Sequence, residues 1–174
     1  MTRRRVEVVP YNPEWKTVFE NEKQLLESIF LPAEVEVHHI GSTSVPGLSA
    51  KPIIDIMLAA DSLEQVEKAT PAIEAAGYVV KGENGIPGRR YFQKHDENGM
   101  RKVHLHSFEK SSRQLYRHLV FRDYLRSHPQ EASKYSDVKE KAARKYGFDI
   151  DSYIAEKSPT VKDIEQKAMQ WRPV

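Results

Sequence analysis

The apolar positions along the chain switch between a helical period and a period of two. Trp15, Phe19, Leu26, Ile29 and Phe30 recur close to every third or fourth residue. Asn12 can cap, and Pro13 can open, the helix they imply from about Pro13 to Phe30, which Leu31-Pro32 closes. Val6 to Val9 before it is a short β-type run closed by Pro10. Glu34, Val35, Glu36, Val37 and His38 then alternate acid or polar with apolar, predicting a strand with one wet face that ends at Ile40. Ile53 to Ala59 is almost continuously apolar, as in a strand covered on both sides. Asp61-Ser62 opens a helix with Leu63, Val66, Ala69, Ile73 and Ala76 inward. Pro71 predicts a kink in it, or two stacked pieces. Gly77 suits the position after a helix end, and Tyr78 to Val80 starts another strand.

Three glycines and a proline mark Lys81 to Gly88 as a flexible loop. Arg90 to Lys94 and Lys102 to Phe108 read as two strands around His95-Asp96-Glu97-Asn98-Gly99, where Asn98-Gly99 is a strong hairpin signal. The last third is helical: Ser111 to Ser127, Pro129 to Tyr146 before Gly147, and Pro159 to Trp171. The pattern predicts a single α+β domain over residues 1–174, with a mixed sheet, flanking helices and a C-terminal helical part at about 110–172.

Composition narrows the function classes. No run of about eighteen apolar residues occurs, so no membrane span is expected. Met1-Thr2-Arg3-Arg4-Arg5 is basic but lacks the apolar centre of an export signal. Cysteine is absent, which removes disulfides, thiolate metal sites and cysteine nucleophiles. A cytoplasmic protein is the simplest expectation. From Arg101 to Arg126, seven Lys/Arg stand against two acids. Such a segment suits either an anionic ligand or a solvated helix face paired elsewhere in the fold. Only this basic segment favours nucleic acid, with no clear interleaving of aromatic stacking positions, so nucleic acid is not the expected partner.

The chemistry gathers between His38 and Met57. Asp55 lies in the middle of an apolar strand, where a carboxylate must be partnered or cost several kcal/mol, on the order of a buried unpaired polar group. Lys51, or backbone N–H groups of the Gly41-Ser42 turn, are available partners. Gly41, Ser42, Thr43 and Ser44 supply backbone N–H groups and hydroxyls able to cradle a phosphate. Side-chain alternation puts His104 and His106 on one face of their strand. With Asp55 and one of His38 or His39 they could hold a divalent ion, or they are simply polar residues of a half-exposed strand.

The motifs Tyr11-Asn12-Pro13-Glu14-Trp15, His39-Ile40-Gly41-Ser42-Thr43-Ser44-Val45-Pro46-Gly47-Leu48 and Lys51-Pro52-Ile53-Ile54-Asp55-Ile56 resemble the GrpB family. So do Gly77-Tyr78, His104-Leu105-His106, Phe121-Arg122-Asp123-Tyr124-Leu125-Arg126, Lys157 and the end from Ala168 to Trp171. The family is placed in the nucleotidyltransferase superfamily and is largely without assigned function; a similar domain is fused to dephospho-CoA kinase in some bacteria. The resemblance implies a nucleotidyltransferase-like core at about 33–108.

In that superfamily a Gly-Ser turn binds the triphosphate, while two acids one residue apart and a third on a later strand hold two Mg²⁺ ions. Gly41-Ser42 matches the turn and Asp55 matches one acid. The other acid of the pair falls on Ile53 or Met57, and the later strand offers His104 and His106 instead of a carboxylate. The resemblance therefore implies one of two substitutes. Asp55, His104, His106 and His39 could bind a divalent metal, Mn²⁺ or Zn²⁺ in preference to Mg²⁺. Alternatively Lys51, Arg89, Arg90 with Tyr91, Arg122 and Arg126 could hold a phosphorylated ligand without metal. The expected function is binding of a nucleotide or phosphorylated small molecule. Asp55 would serve in nucleotidyl or phosphoryl transfer, or the fold would serve as a non-catalytic binding or regulatory module.

Overall fold

A computed structural model of the chain describes residues 5–172; the basic start from Met1 to Arg4 lies outside them. The chain falls into two compact units. Of the described residues, one is built from Glu14–Ile40 and Ile53–Tyr116, the other from 5–13, Gly41–Pro52 and 117–172. Neither is one continuous segment.

The first unit is a five-stranded mixed sheet with two helices on one face. Helix α1 (Glu14–Phe30) precedes β1 (Glu36–Ile40), and β2 (Ile54–Ala60) leads through α2 (Leu63–Ala75) to β3 (Tyr78–Gly82), β4 (Arg90–His95) and β5 (Arg101–Glu109). The strand order is β1-β2-β5-β4-β3. β2 and β5 run parallel, and the other neighbours are antiparallel. A parallel pair needs a long crossover, here supplied by α2 and the β3–β4 hairpin. Trp15, Phe19, Leu26 and Phe30 form the buried stripe of α1, and Val66 and Ile73 that of α2. Both helices pack on the sheet.

Strand alternation sorts the two faces. Val37 pairs with Leu58 and His39 with Ile56, and Ile54 pairs with Val103 and Ile56 with Leu105. These residues face the helices, and Ile56, Leu58 and Leu105 are fully buried. The opposite face carries Asp55, His104, His106, Tyr91 and Gln93. The apolar run of β2 is thus interrupted at one position of that face, and the interruption is a carboxylate.

Sequence periodicity located most elements, and two departures have local causes. Pro71 does not divide α2, which runs continuously with Ser62 as its cap, the hydroxyl accepting from Gln65 N–H at 3.3 Å. A single missing hydrogen bond is tolerated where Val66 and Ile73 anchor both sides of the proline in the core. The last helix starts well before Pro159: α5 spans Ile150–Trp171 with Pro159 inside. Asp149 caps it, accepting from the backbone N–H of Ser152 at 3.1 Å and from its hydroxyl at 2.6 Å.

The second unit contains Val6–Val9, a turn over Ser42–Ser44 and most of α3 (Arg113–Ser127), with α4 (Pro129–Lys145) and α5. Val6 to Val9 forms no sheet strand. Val6 donates to Gly147 O at 2.7 Å and Val9 bridges Ala50. Val6 is buried with Ala142 and Tyr153.

Candidate functional site on the polar sheet face

The register of the three central strands builds the cluster. Asp55 pairs with His104 and Met57 with His106; on the other side His104 pairs with Gln93 and His106 with Tyr91. Asp55 Oδ1 lies 3.3 Å from His106 Nε2 and 3.6 Å from His104 Nδ1. The far nitrogen of His106, Nδ1, is 3.2 Å from Arg89 Nη1. A guanidinium only donates, so Nδ1 accepts and the ring proton sits on Nε2, aimed at Asp55. Arg89, His106 and Asp55 thereby form one directed hydrogen-bond chain.

Arg89 is itself fixed from behind. Its Nε donates to Glu83 O at 3.1 Å and its Nη2 to Asn84 O at 2.9 Å. The guanidinium carbon stands 4.5 Å from the Tyr91 ring centroid. Asn84 adopts φ 49°, a left-handed conformation that asparagine tolerates better than most residues. Gly88 N–H donates to Glu83 Oε2 at 2.8 Å. The segment expected to be a flexible loop is therefore a collar of carbonyls around Arg89. Tyr91 stacks on His106 (centroids 5.1 Å apart) and meets His104 edge-on, and Gln93 Nε2 donates to its hydroxyl oxygen at 3.0 Å.

Burial pushes the Asp55 carboxyl up, and the hydrogen bonds from His104 and His106 outweigh it, holding the group well below the usual carboxylate range. Its side chain remains 32% exposed, so the oriented carboxylate is within reach of a ligand. Burial likewise pushes the Tyr91 phenol up, with Asp55 adding to the rise. The face therefore offers an ionised acceptor at Asp55 beside the ring N–H of His106, an arrangement able to accept a hydrogen bond from a ligand hydroxyl or amino group.

The donor set does not fit two Mg²⁺ ions, which call for several carboxylates. Asp55 is the one acid on this face of β2, β4 and β5, with Met57 next on its own strand. His106 has both ring nitrogens engaged, one of them by a cation. His104 Nε2 is buried without a hydrogen-bond partner, but no group of three His, Asp or Glu able to hold an ion occurs among the described residues.

His39 is not brought to Asp55: it lies on the helix side of the sheet and stacks on Phe19 at 4.8 Å. His38, whose ring nitrogen lies 3.2 Å from Glu36, has the face parity of Asp55. Arg90 also points to the helix side, where it pairs with Glu67 at 2.8 Å and Glu83 at 3.8 Å.

The remaining expected ligand residues belong to the other unit. Gly41 adopts φ 71°, ψ −172°, which favours glycine. The turn after it closes on itself: Ser44 gives both its N–H (3.1 Å) and its hydroxyl (2.5 Å) to Gly41 O. Thr43 and Ser44 are buried, so Ser44 already spends in the turn the donors expected to cradle phosphate. Arg126 Nε donates to Ser44 O at 2.9 Å, and Arg122 pairs with its neighbour Asp123 at 2.9 Å. Lys51 is not part of β2; its Nζ stands 4.8 Å from the Tyr153 centroid. Gln93 and Lys139 were not anticipated. Strand alternation from Tyr91 could have found Gln93, whereas nothing in the sequence separates Lys139 from the other lysines of α4.

The arrangement of the sheet and its flanking helices recurs in a distant solved structure. The structure of Cid1 in complex with its short product ApU superposes with a TM-score of 0.52 at 12% identity, over 76% of this chain and 40% of that one; this likeness concerns the fold alone. The chain belongs to the GrpB family, whose model, described as GrpB protein, matches residues 5–167. The crystal structure of conserved protein GrpB from Enterococcus faecalis superposes with a TM-score of 0.87 at 38% identity, covering 94% of this chain and 98% of that one. UPF0157 protein YqkA of Bacillus subtilis is 42% identical over 98% of this chain, and the chain spans about half (49%) of YqkA. Glutamate-rich protein GrpB of Alkalihalophilus pseudofirmus is 36% identical over 90% of this chain and 92% of its own length. A protein named dephospho-CoA kinase from Mycolicibacterium paratuberculosis is 27% identical over 98% of this chain and 48% of its own. Among the described residues no helix is long and apolar enough to cross a membrane.

Proposed function

We propose that this chain binds a nucleotide or a related phosphorylated small molecule on the polar sheet face. In this reading Asp55 accepts a hydroxyl or amino group of the ligand, and two-metal nucleotidyl transfer has been given up. The observation that carries the proposal is the Arg89–His106–Asp55 chain, which orients one partly exposed, ionised carboxylate with no second acid beside it. His104 and Tyr91 border the carboxylate, so a ligand group arriving there meets a fixed acceptor and ring edges. Such a preformed arrangement lowers the ordering cost of binding. The nucleotidyltransferase-type fold and the relative named dephospho-CoA kinase supply the ligand classes to try first.

Calorimetric titration of wild type and Asp55→Ala with ATP, GTP, CTP, UTP and dephospho-CoA tests this, with Mg²⁺, Mn²⁺, Zn²⁺ or no metal. Pyrophosphate release from the triphosphates is followed in parallel. The expected result is binding of at least one compound, weakened about tenfold or more in Asp55→Ala as for loss of a charge-assisted hydrogen bond, and no pyrophosphate release. Release that depends on Asp55 would establish a transferase in place of a binding module. Failure of every compound to bind would remove the reading altogether.

A further inference from the structure

Helix α4 carries several lysines, and the fold encloses one of them. Lys139 is 2% exposed, its Nζ has no hydrogen-bond partner, and it stands 4.3 Å from the ring centroid of Tyr135. A buried ammonium without an oxygen acceptor is rare, because desolvation is repaid only by a paired anion or by several acceptors. Two further lysines of the same unit act on it electrostatically, and both lie over one ring. Lys51 Nζ and Lys157 Nζ stand 4.8 Å and 5.0 Å from the centroid of Tyr153. Tyr135 and Tyr153 are 4% and 1% exposed, so both rings under these ammonium groups are held by the core.

The electrostatics agree with convergence. Burial, then the charges of Lys157 and Lys51, bring Lys139 down to about 7, and Glu140 only partly offsets them. That carboxylate is also occupied, accepting from the Ser49 hydroxyl at 2.5 Å. Ser49 N–H in turn donates to Ser136 Oγ at 3.0 Å, and Ala50 bridges Val9. These bonds fasten the segment that carries Lys51 to α4, so the lysines are held in place before any ligand arrives.

We propose that Lys51, Lys139 and Lys157, gathered over the Tyr135–Tyr153 pair, form an oxyanion site that takes a phosphoryl group of a small-molecule ligand. A phosphoryl group suits three ammonium donors better than a carboxylate does. It presents at least three oxygens and close to two charges near neutral pH, enough to satisfy Lys139 and still meet Lys51 and Lys157. The site is confined to one compact unit and stands apart from the Asp55 reading: its probes are simple anions, so either can fail alone.

The test titrates the protein with sulfate and with pyrophosphate by calorimetry at pH 8, in buffers of different ionisation enthalpy. AMP and ATP in further arms separate a free anion from a nucleotide phosphate as the source. Sulfate does not titrate in this range, so proton uptake on its binding reports the protein. The expected result is saturable binding with uptake approaching one proton, as Lys139 becomes charged. Lys139→Met should weaken binding about tenfold or more and abolish the uptake, while Lys139→Arg retains binding. Lys157→Gln, at a half-buried position, should weaken binding without risk to the core. Equal affinity in wild type and both charge-removing variants, uptake that persists in Lys139→Met, or no saturable binding of any of these anions would overturn the proposal.

Discussion

Lys139→Met should make the protein more stable at neutral pH, by an amount that shrinks as the pH rises. An unfolded chain returns Lys139 to its ordinary value of 10.5, against about 7 in the fold. Between these values the unfolded state binds more protons, so wild-type stability rises with pH. At pH 7 the unfolded lysine is fully charged while the folded one is half charged; by pH 9 the folded one is neutral. Integrating the linkage between pH 7 and pH 9 gives about 2 kcal/mol of stability regained by wild type over that interval. Methionine fills a similar volume without a charge to desolvate, so the variant lacks this term. Urea unfolding of both proteins at pH 7, 8 and 9 measures it, with anion-free buffers so that no ligand neutralises the lysines. The interval stops at pH 9 because Tyr78 and Tyr153, raised chiefly by burial, oppose the trend once unfolded tyrosines ionise near pH 10. A stability difference between variant and wild type that stays constant from pH 7 to pH 9 would refute the argument, since it would mean that Lys139 keeps the same charge in both states.

Two further outcomes follow from the sheet unit. Asp55 is held below its ordinary value, so its contribution is present above the unfolded carboxylate value of 3.8 and is lost as the pH falls through and below it. Asp55→Asn should therefore show a shallower loss of stability than wild type between about pH 5 and pH 2, read by acid titration of circular dichroism. Leu58 is fully buried on the helix-covered face of β2, and Leu58→Ala should cost about 2–5 kcal/mol, seen as a lower urea midpoint at unchanged slope.

How far the sequence revealed this molecule depended on what kind of information each feature needs. Strands and most helices were legible because burial imposes a period on consecutive residues: Trp15, Phe19, Leu26 and Phe30 announce a helix whatever they pack against. Asp55, His104 and His106 were also legible as a set, because alternation fixes which residues of a strand share a face. What alternation lacks is register between strands. His39 shares its strand with His38, and only the pairing of His39 with Ile56 puts it on the helix side against Phe19. Arg89 lies just outside β4, where no period applies; its place on His106 follows from the Glu83–Gly88 turn, whose carbonyls aim the guanidinium. The start of α5 is hidden in the sequence because Pro159 marks a boundary there, whereas Asp149 provides the stronger one; a cap outweighs a single lost hydrogen bond when helix on both sides is packed. Lys139 is the furthest from sequence. In Ser136-Asp137-Val138-Lys139-Glu140-Lys141 it has the look of an exposed helix lysine with an acid beside it, and that acid is turned to Ser49. Its isolation arises from three separate segments meeting over two tyrosines, a property of tertiary structure alone. Asp55 breaks the apolar run of β2 and is therefore visible, while Lys139 breaks no pattern and shows itself only by what the folded protein fails to give it.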